Sequence, residues 1–160
     1  MRITKYNVSQ TPDKVNYLVK ESSSNYPLLN YTNCTSPEYV ADIMQTVYRC
    51  DTLPEEHAWV LTLTSSCKLI GIFEVSHGVA DTAILNPREV FVRLCLIGAV
   101  QFIICHNHPS GQTFVSSDDL KTTLRMRECG QMMGIPLIDH IILGDNGTYT
   151  SIRQTHPEKF

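Results

Sequence analysis

His106-Asn107-His108-Pro109-Ser110-Gly111 is followed after four residues by Ser116-Ser117-Asp118-Asp119. The first stretch sets two imidazoles two positions apart, and side chains at i and i+2 point to the same side of extended backbone. His106 and His108 can therefore face one cation. Asp119 lies eleven positions beyond His108, a span that lets a short loop fold back and add a carboxylate as third ligand. Two histidines, one carboxylate and a fourth position left to water suit hydrolytic zinc, which lowers the pKa of its water to about 7. The expectation is a metal-dependent hydrolase with one zinc per chain.

The proton of that water needs an acceptor within hydrogen-bond reach that can pass it to a leaving amine, and a glutamate suits the task. Glu55 and Glu56 directly precede an apolar run at 58–63. Either could overhang the metal if that run is a strand beside residues 100–105. Ser116 could donate to a developing oxyanion, a contact worth a few kcal/mol in a transition state. Ser116-x-x-Asp119 also reads as a helix capping box, a role compatible with ligation. Asp118 is the alternative ligand to Asp119. Elsewhere, Glu74 reads as a solvent-facing strand residue and Cys105 as core packing. Asp139-His140 reads as a structural pair, a buried imidazole held by the neighbouring carboxylate. His57, His77 and His156 carry no partner signal.

The elements that must position these residues are legible in part. A short strand is expected at 3–8 and a helix at 12–20. Ser36 then caps a helix with Pro37 in its first turn and Val40, Ile43, Met44 and Val47 at helical spacing. Residues 58–63 and 68–75 read as a strand hairpin around Ser65-Ser66. Asn86, Pro87 and Glu89 open another helix, Glu89 reaching back to complete the cap, with Val90, Phe91, Leu94 and Ile97 as its buried stripe and Gly98 at its end. The continuous apolar run 100–105 suggests a central strand buried on both faces, and the histidine loop leaves its end. A helix follows over 117–133, stopped by Gly134 and Pro136. Residues 137–143 and 148–152 close the chain as a hairpin around Asp145-Asn146-Gly147. Strands and helices alternate, giving an α/β fold with a mixed sheet and hairpins at both its ends. Open α/β sheets bind ligands beyond the carboxyl ends of their strands, which is where residues 106–119 lie.

A chain of 160 residues, 42% apolar and 18% charged, suits one compact domain with a hydrophobic core. A net charge of −3 without basic runs argues against a surface built to neutralise phosphates, so direct nucleic-acid binding is not expected. No secretory leader is readable, and no apolar run is long enough to span a bilayer. The six cysteines show no paired spacing. A cytoplasmic, reduced protein is expected.

Glutamate, then His-x-His-Pro, then Ser-x-x-Asp resembles the JAMM metalloprotease motif of JAB/MPN domains. The longer run looks like the RadC branch: Asn86-Pro87-Arg88-Glu89-Val90-Phe91, His106-Asn107-His108-Pro109-Ser110-Gly111 and Leu137-Ile138-Asp139-His140-Ile141-Ile142-Leu143-Gly144. The resemblance covers about residues 53–152. It implies a single JAB/MPN-like domain over 36–160 behind an N-terminal extension at 1–35. It also implies zinc on His106, His108 and Asp119, Ser116 as oxyanion helper, and Glu56 rather than Glu55 as catalytic base. Related domains cleave peptide or isopeptide bonds, so a protein or peptide substrate is implied. The alternative within the family is a DNA-repair or mobile-element accessory that binds metal without proteolysis. Gln112-Thr113-Phe114-Val115 departs from the acidic and proline-rich rim loop usual in that branch. About fifty residues precede the core, too few for the helix-hairpin-helix region of full-length RadC proteins. Two other zinc or nuclease readings fail. A zinc deaminase needs His-x-Glu followed by Pro-Cys-x-x-Cys, where this chain has His-Asn-His and no Cys-x-x-Cys, and His-Asn-His matches the HNH nuclease label in lettering only.

Overall fold

The computed structural model describes residues 1–78 and 85–160. Its centre is strand β5 (Gln101–Asn107), whose residues after Gln101 are all buried. Both faces of β5 are covered, which is why its sequence is continuously apolar up to the histidine. On one face Ile103 and Cys105 join Trp59, Leu61 and Leu63 of β3 (His57–Leu63) beneath Val40, Ile43 and Met44 of α1 (Pro37–Tyr48). On the other, Phe102 and Ile104 join Ala58 and Val60. There they pack on Val90 and Leu94 of α2 (Pro87–Ile97) and on Met126 of α3 (Ser117–Met133).

The remaining strands are β1 (Arg2–Gln10), β2 (Asn16–Asn25), β4 (Leu69–His77), β6 (Leu137–Leu143) and β7 (Tyr149–Ser151). The seven form one sheet in the order β2-β1-β4-β3-β5-β6-β7. β5 runs parallel to β6 and antiparallel to β3, so the sheet is mixed, as the alternation of elements predicts. A short helix, α4 (Ile152–Thr155), follows β7 directly.

Two expectations need correction. Residues 12–20 are not helical: Lys14 turns the chain at φ 69°, and β2 pairs with β1 from Arg2↔Asn25 to Gln10↔Asn16. β2 has no fully buried residue, so it lacks the apolar stripe a helix needs, whereas the β1 edge offers it backbone partners. The β3–β4 hairpin accordingly lies inside the sheet, and β1–β2 occupies the end it was expected to fill. The closing β6–β7 hairpin forms as expected around a single helical turn, Asp145–Gly147.

The helix boundaries follow the punctuation in the sequence. Asn86 Oδ1 accepts from Arg88 N at 3.0 Å, and Gly98 ends α2 at φ 70°. Glu89 does not reach back to the cap; it pairs with Arg93 one turn on at 3.1 Å. Ile97 at the end of α2 is only partly buried. Gly134 ends α3 at φ 68°.

Phe102 is fully buried and meets Phe91 edge-on at 5.6 Å, tying α2 to the sheet. Phe102→Ala should lower the unfolding free energy by about 3–5 kcal/mol in urea titrations, a cost that a surface site would not show.

Candidate metal centre

Register places the first ligand. β3 and β5 pair with Ala58 opposite His106, and β5 and β6 pair with His106 beside Ile142. His106 therefore points to the face that carries Ala58 and Ile104, toward α3, and is almost wholly buried. The ladder runs one residue further, His108 N donating to Leu143 O at 3.0 Å, which returns His108 to the same side. The chain then turns back through Gly111 N to His108 O at 2.9 Å. Gly111 has φ 74° and sits against the Asp145 loop, where a Cβ would overlap the Asp145 carboxylate.

α3 supplies the carboxylate. Ser116 caps it, its Oγ accepting from Asp119 N at 3.1 Å while Asp119 Oδ2 accepts from Ser116 N at 2.8 Å. This is the capping box expected from Ser-x-x-Asp. Asp119, Thr123, Met126 and Gly130 form one stripe at helical spacing, and the last three are buried against the sheet. The stripe aims Asp119 inward. Asp118, one position round the helix, is exposed and pairs with Lys121 at 2.8 Å.

The result is a tight triad. Nε2 of His106 lies 3.0 Å from Nε2 of His108 and 3.1 Å from Asp119 Oδ1, and His108 Nε2 lies 3.9 Å from Asp119 Oδ2. Burial pushes the Asp119 carboxyl upward. The His106 ring against Asp119 Oδ1, together with the two Ser116 bonds, outweighs it and holds the group well below the usual carboxylate range. Asp119 is therefore an anion at neutral pH.

The donor set fits a divalent transition metal. His108 Nδ1 donates to the Gln112 carbonyl at 2.9 Å, which leaves Nε2 as the ring nitrogen facing the triad. His106 Nδ1 is engaged by His140 Nε2 at 2.9 Å, again leaving Nε2 toward the triad. Imidazoles with one nitrogen fixed by a protein partner and the other facing a carboxylate are the usual environment of zinc-binding histidines. Ser116 occupies Asp119 Oδ2, leaving Oδ1 as the ligand oxygen.

A family model for the RadC-like JAB domain matches residues 34–157. The chain belongs to the RadC-like JAB domain family. Among its relatives is a UPF0758 protein of Clostridium acetobutylicum, 39% identical over 129 residues, which are 81% of this chain and 55% of that protein. A UPF0758 protein of Clostridium tetani is 38% identical over 78% of this chain and 53% of its own length. One from Staphylococcus haemolyticus is 39% identical over 69% and 48%. The chain thus spans about half the length of the curated relatives it matches. The seven-stranded mixed sheet with its packed helices is consistent with the JAB/MPN-like fold of this family.

Other residues of the RadC-like domain require correction or addition. Asp139 does not hold the His140 ring; from His140 its Oδ1 accepts only the backbone N–H, at 2.7 Å. The two lie on opposite faces of β6: Asp139 accepts from Ser151 Oγ at 2.6 Å and Arg153 N at 3.1 Å, while the His140 ring lies between His106 and Thr123. Complete burial, reinforced by the neighbouring histidines, pushes His140 well below the usual histidine range, so its ring is neutral. His57 and His77 do have partners, Glu74 at 2.7 Å and Glu55 at 2.7 Å. Glu55, His57 and His77 form a second group whose ligand atoms lie within 4.8 Å of one another. The side chains of Glu55 and His77 are more than half exposed, whereas those of His106 and Asp119 are 3% and 12% exposed. The buried group is the better cation site.

Sequence reasoning missed the bridging role of Asn107. Its side chain is buried and bridges the two peptides flanking Glu56, Nδ2 donating to Glu55 O at 3.0 Å and Oδ1 accepting from His57 N at 2.8 Å. No periodicity signals such a bridge; only the β3–β5 register reveals it. Two hydrogen bonds of about 1 kcal/mol each are lost in Asn107→Ala, and its unfolding free energy should fall by about 2 kcal/mol in urea titrations. Stability equal to that of the unmodified chain would show that the bridge contributes nothing.

Proposed function

We propose that this domain is a zinc-dependent hydrolase of the JAMM type, cleaving an amide bond in a protein or peptide. The observation that carries this reading is the His106–His108–Asp119 triad, three ligand atoms converging from a strand end and a helix first turn. A zinc ion there would supply Lewis acidity, drawing the pKa of a water toward about 7. His106 Nε2, His108 Nε2 and Asp119 Oδ1 would hold it, one ion per chain.

Glu56 is the base in this reading. Carried back past the start of β3 at His57, strand alternation would put Glu56 on the side of Ala58 and His106, and Glu55 on the opposite side. Glu55 is engaged there with His77. Glu56 is half-buried and its backbone is fixed from both sides, by Asn107 and by Gly78 N donating to Glu56 O at 2.9 Å. In this reading the Glu56 carboxylate, on a fixed stretch of main chain, takes the water proton and delivers it to the departing amine. Ser116 stabilises the oxyanion. Its hydroxyl donates to Asp119 Oδ2 at 2.7 Å, but its backbone N–H also holds that oxygen, so the hydroxyl can turn toward substrate without freeing the ligand carboxylate. Phe114, 79% exposed on the rim loop, offers substrate an apolar contact. Among the described residues no helix is long and apolar enough to cross a membrane.

Metal analysis of the purified chain should find about one zinc per molecule. His108→Ala should lose it, and equal zinc in both proteins would refute the ligand set. Glu56→Gln should retain the metal and lose at least 10²-fold in turnover against peptide and isopeptide substrates. Zinc binding without amide cleavage, with cellular function unchanged in Glu56→Gln, would instead establish a metal-binding accessory of the same family.

A further inference from the structure

Behind the triad runs a chain of buried polar groups that the catalytic reading does not use. Thr123 Oγ1 lies 2.7 Å from Asp119 O and 2.7 Å from His140 Nδ1. His140 Nε2 lies 2.9 Å from His106 Nδ1. Thr123 is fully buried, and so, to within 1–2%, are both imidazoles. All three sit on the α3 face of the sheet. The line of contacts leads from the helix backbone to the far nitrogen of a ligand histidine.

One hydroxyl proton fixes the direction of the whole line. The Asp119 carbonyl can only accept, and two oxygens 2.7 Å apart repel unless a proton lies between them. The Thr123 hydroxyl therefore donates to Asp119 O, and its oxygen accepts from His140 Nδ1–H. A neutral imidazole protonated on Nδ1 carries a lone pair on Nε2. That lone pair accepts from His106 Nδ1–H. The remaining nitrogen of His106, Nε2, is then the bare one, and it is the atom that faces His108 and Asp119.

We infer that Thr123 and His140 are positioning residues that set the tautomer of His106 and so present its Nε2 lone pair to a metal ion. This rests on the zinc reading of the triad and deepens it. The same helix thus contributes at both ends of the arrangement: Asp119 gives its carboxylate to the site and its carbonyl to the relay. Partners that fix the tautomer of a ligand histidine are typically worth 10–100-fold in metal affinity. Valine at position 123 keeps the shape of threonine and deletes the hydroxyl. His140 Nδ1–H then has no acceptor. Relocating its proton to Nε2 turns His140 into a donor toward His106, which must in turn carry its proton on the ligand nitrogen.

The test is zinc affinity of the full chain, measured by competition with a chromophoric chelator, for the unmodified protein, Thr123→Val and Thr123→Ser. The valine variant should bind zinc 10–100-fold more weakly. The serine variant, which restores the hydroxyl, should stay within a few-fold of the unmodified protein. Ring nitrogen-15 shifts of the unmodified, zinc-loaded chain give a readout independent of any variant's folding: His140 should carry its proton on Nδ1. A proton on His140 Nε2, or unmodified affinity in a folded Thr123→Val, overturns the relay while leaving the zinc reading intact. An unmodified chain that takes up no zinc overturns the zinc reading itself, and the relay with it.

Discussion

The pairing of Ala58 with His106 across β3 and β5 is the constraint on which the site depends. Side chains alternate along a strand, so a slip of one residue would carry His106 to the α1 face and put Cys105 where the imidazole now stands. What prevents that slip is apolar. Ile103 and Cys105 are held in the core under α1, and Phe102 and Ile104 in the core under α2 and α3. Each core penalises the shift independently. The register is therefore overdetermined by burial on two faces, and the polar end of β5 inherits its orientation from the apolar part.

A second constraint is electrostatic. Two nearly buried imidazoles, His106 and His140, and a carboxylate with a 12% exposed side chain lie together, and each loses hydration that must be replaced. The replacements are all within reach: Ser116 for one oxygen of Asp119, Gln112 O for His108, and His140 for His106. What remains are the atoms that face one another. Hydrogen-bond saturation on the outside and a cluster of lone pairs on the inside is the chemistry of a cation site, and it distinguishes this triad from Glu55, His57 and His77. There Glu55 and His77 meet in a contact with both side chains more than half exposed, which water can replace.

Much of this was legible in the chain. The capping box around Ser116 and Asp119, the apolar run of β5 and the glycine stops of α2 and α3 are local signals, and they form as read. The helix read at 12–20 failed because a weakly amphipathic segment takes its structure from its neighbour, here the open edge of β1. Asp139-His140 was misread for a related reason. Adjacent residues on a strand face opposite ways, so the carboxylate next in sequence cannot be the partner of the imidazole. The true partners, Thr123 and His106, come from α3 and β5.

By itself the sequence determined the candidate ligand types, their order and the capped helix start, because spacing of two in a strand and three at a helix N-terminus are properties of local backbone geometry. The tertiary structure decided that His106, His108 and Asp119 meet on one face of the sheet. It also decided that Asn107 bridges the peptides around Glu56 and that the His140 ring backs His106. Those are distances between strands and helices far apart in the chain. They are set by how the two apolar cores fill, which no local pattern of residues encodes.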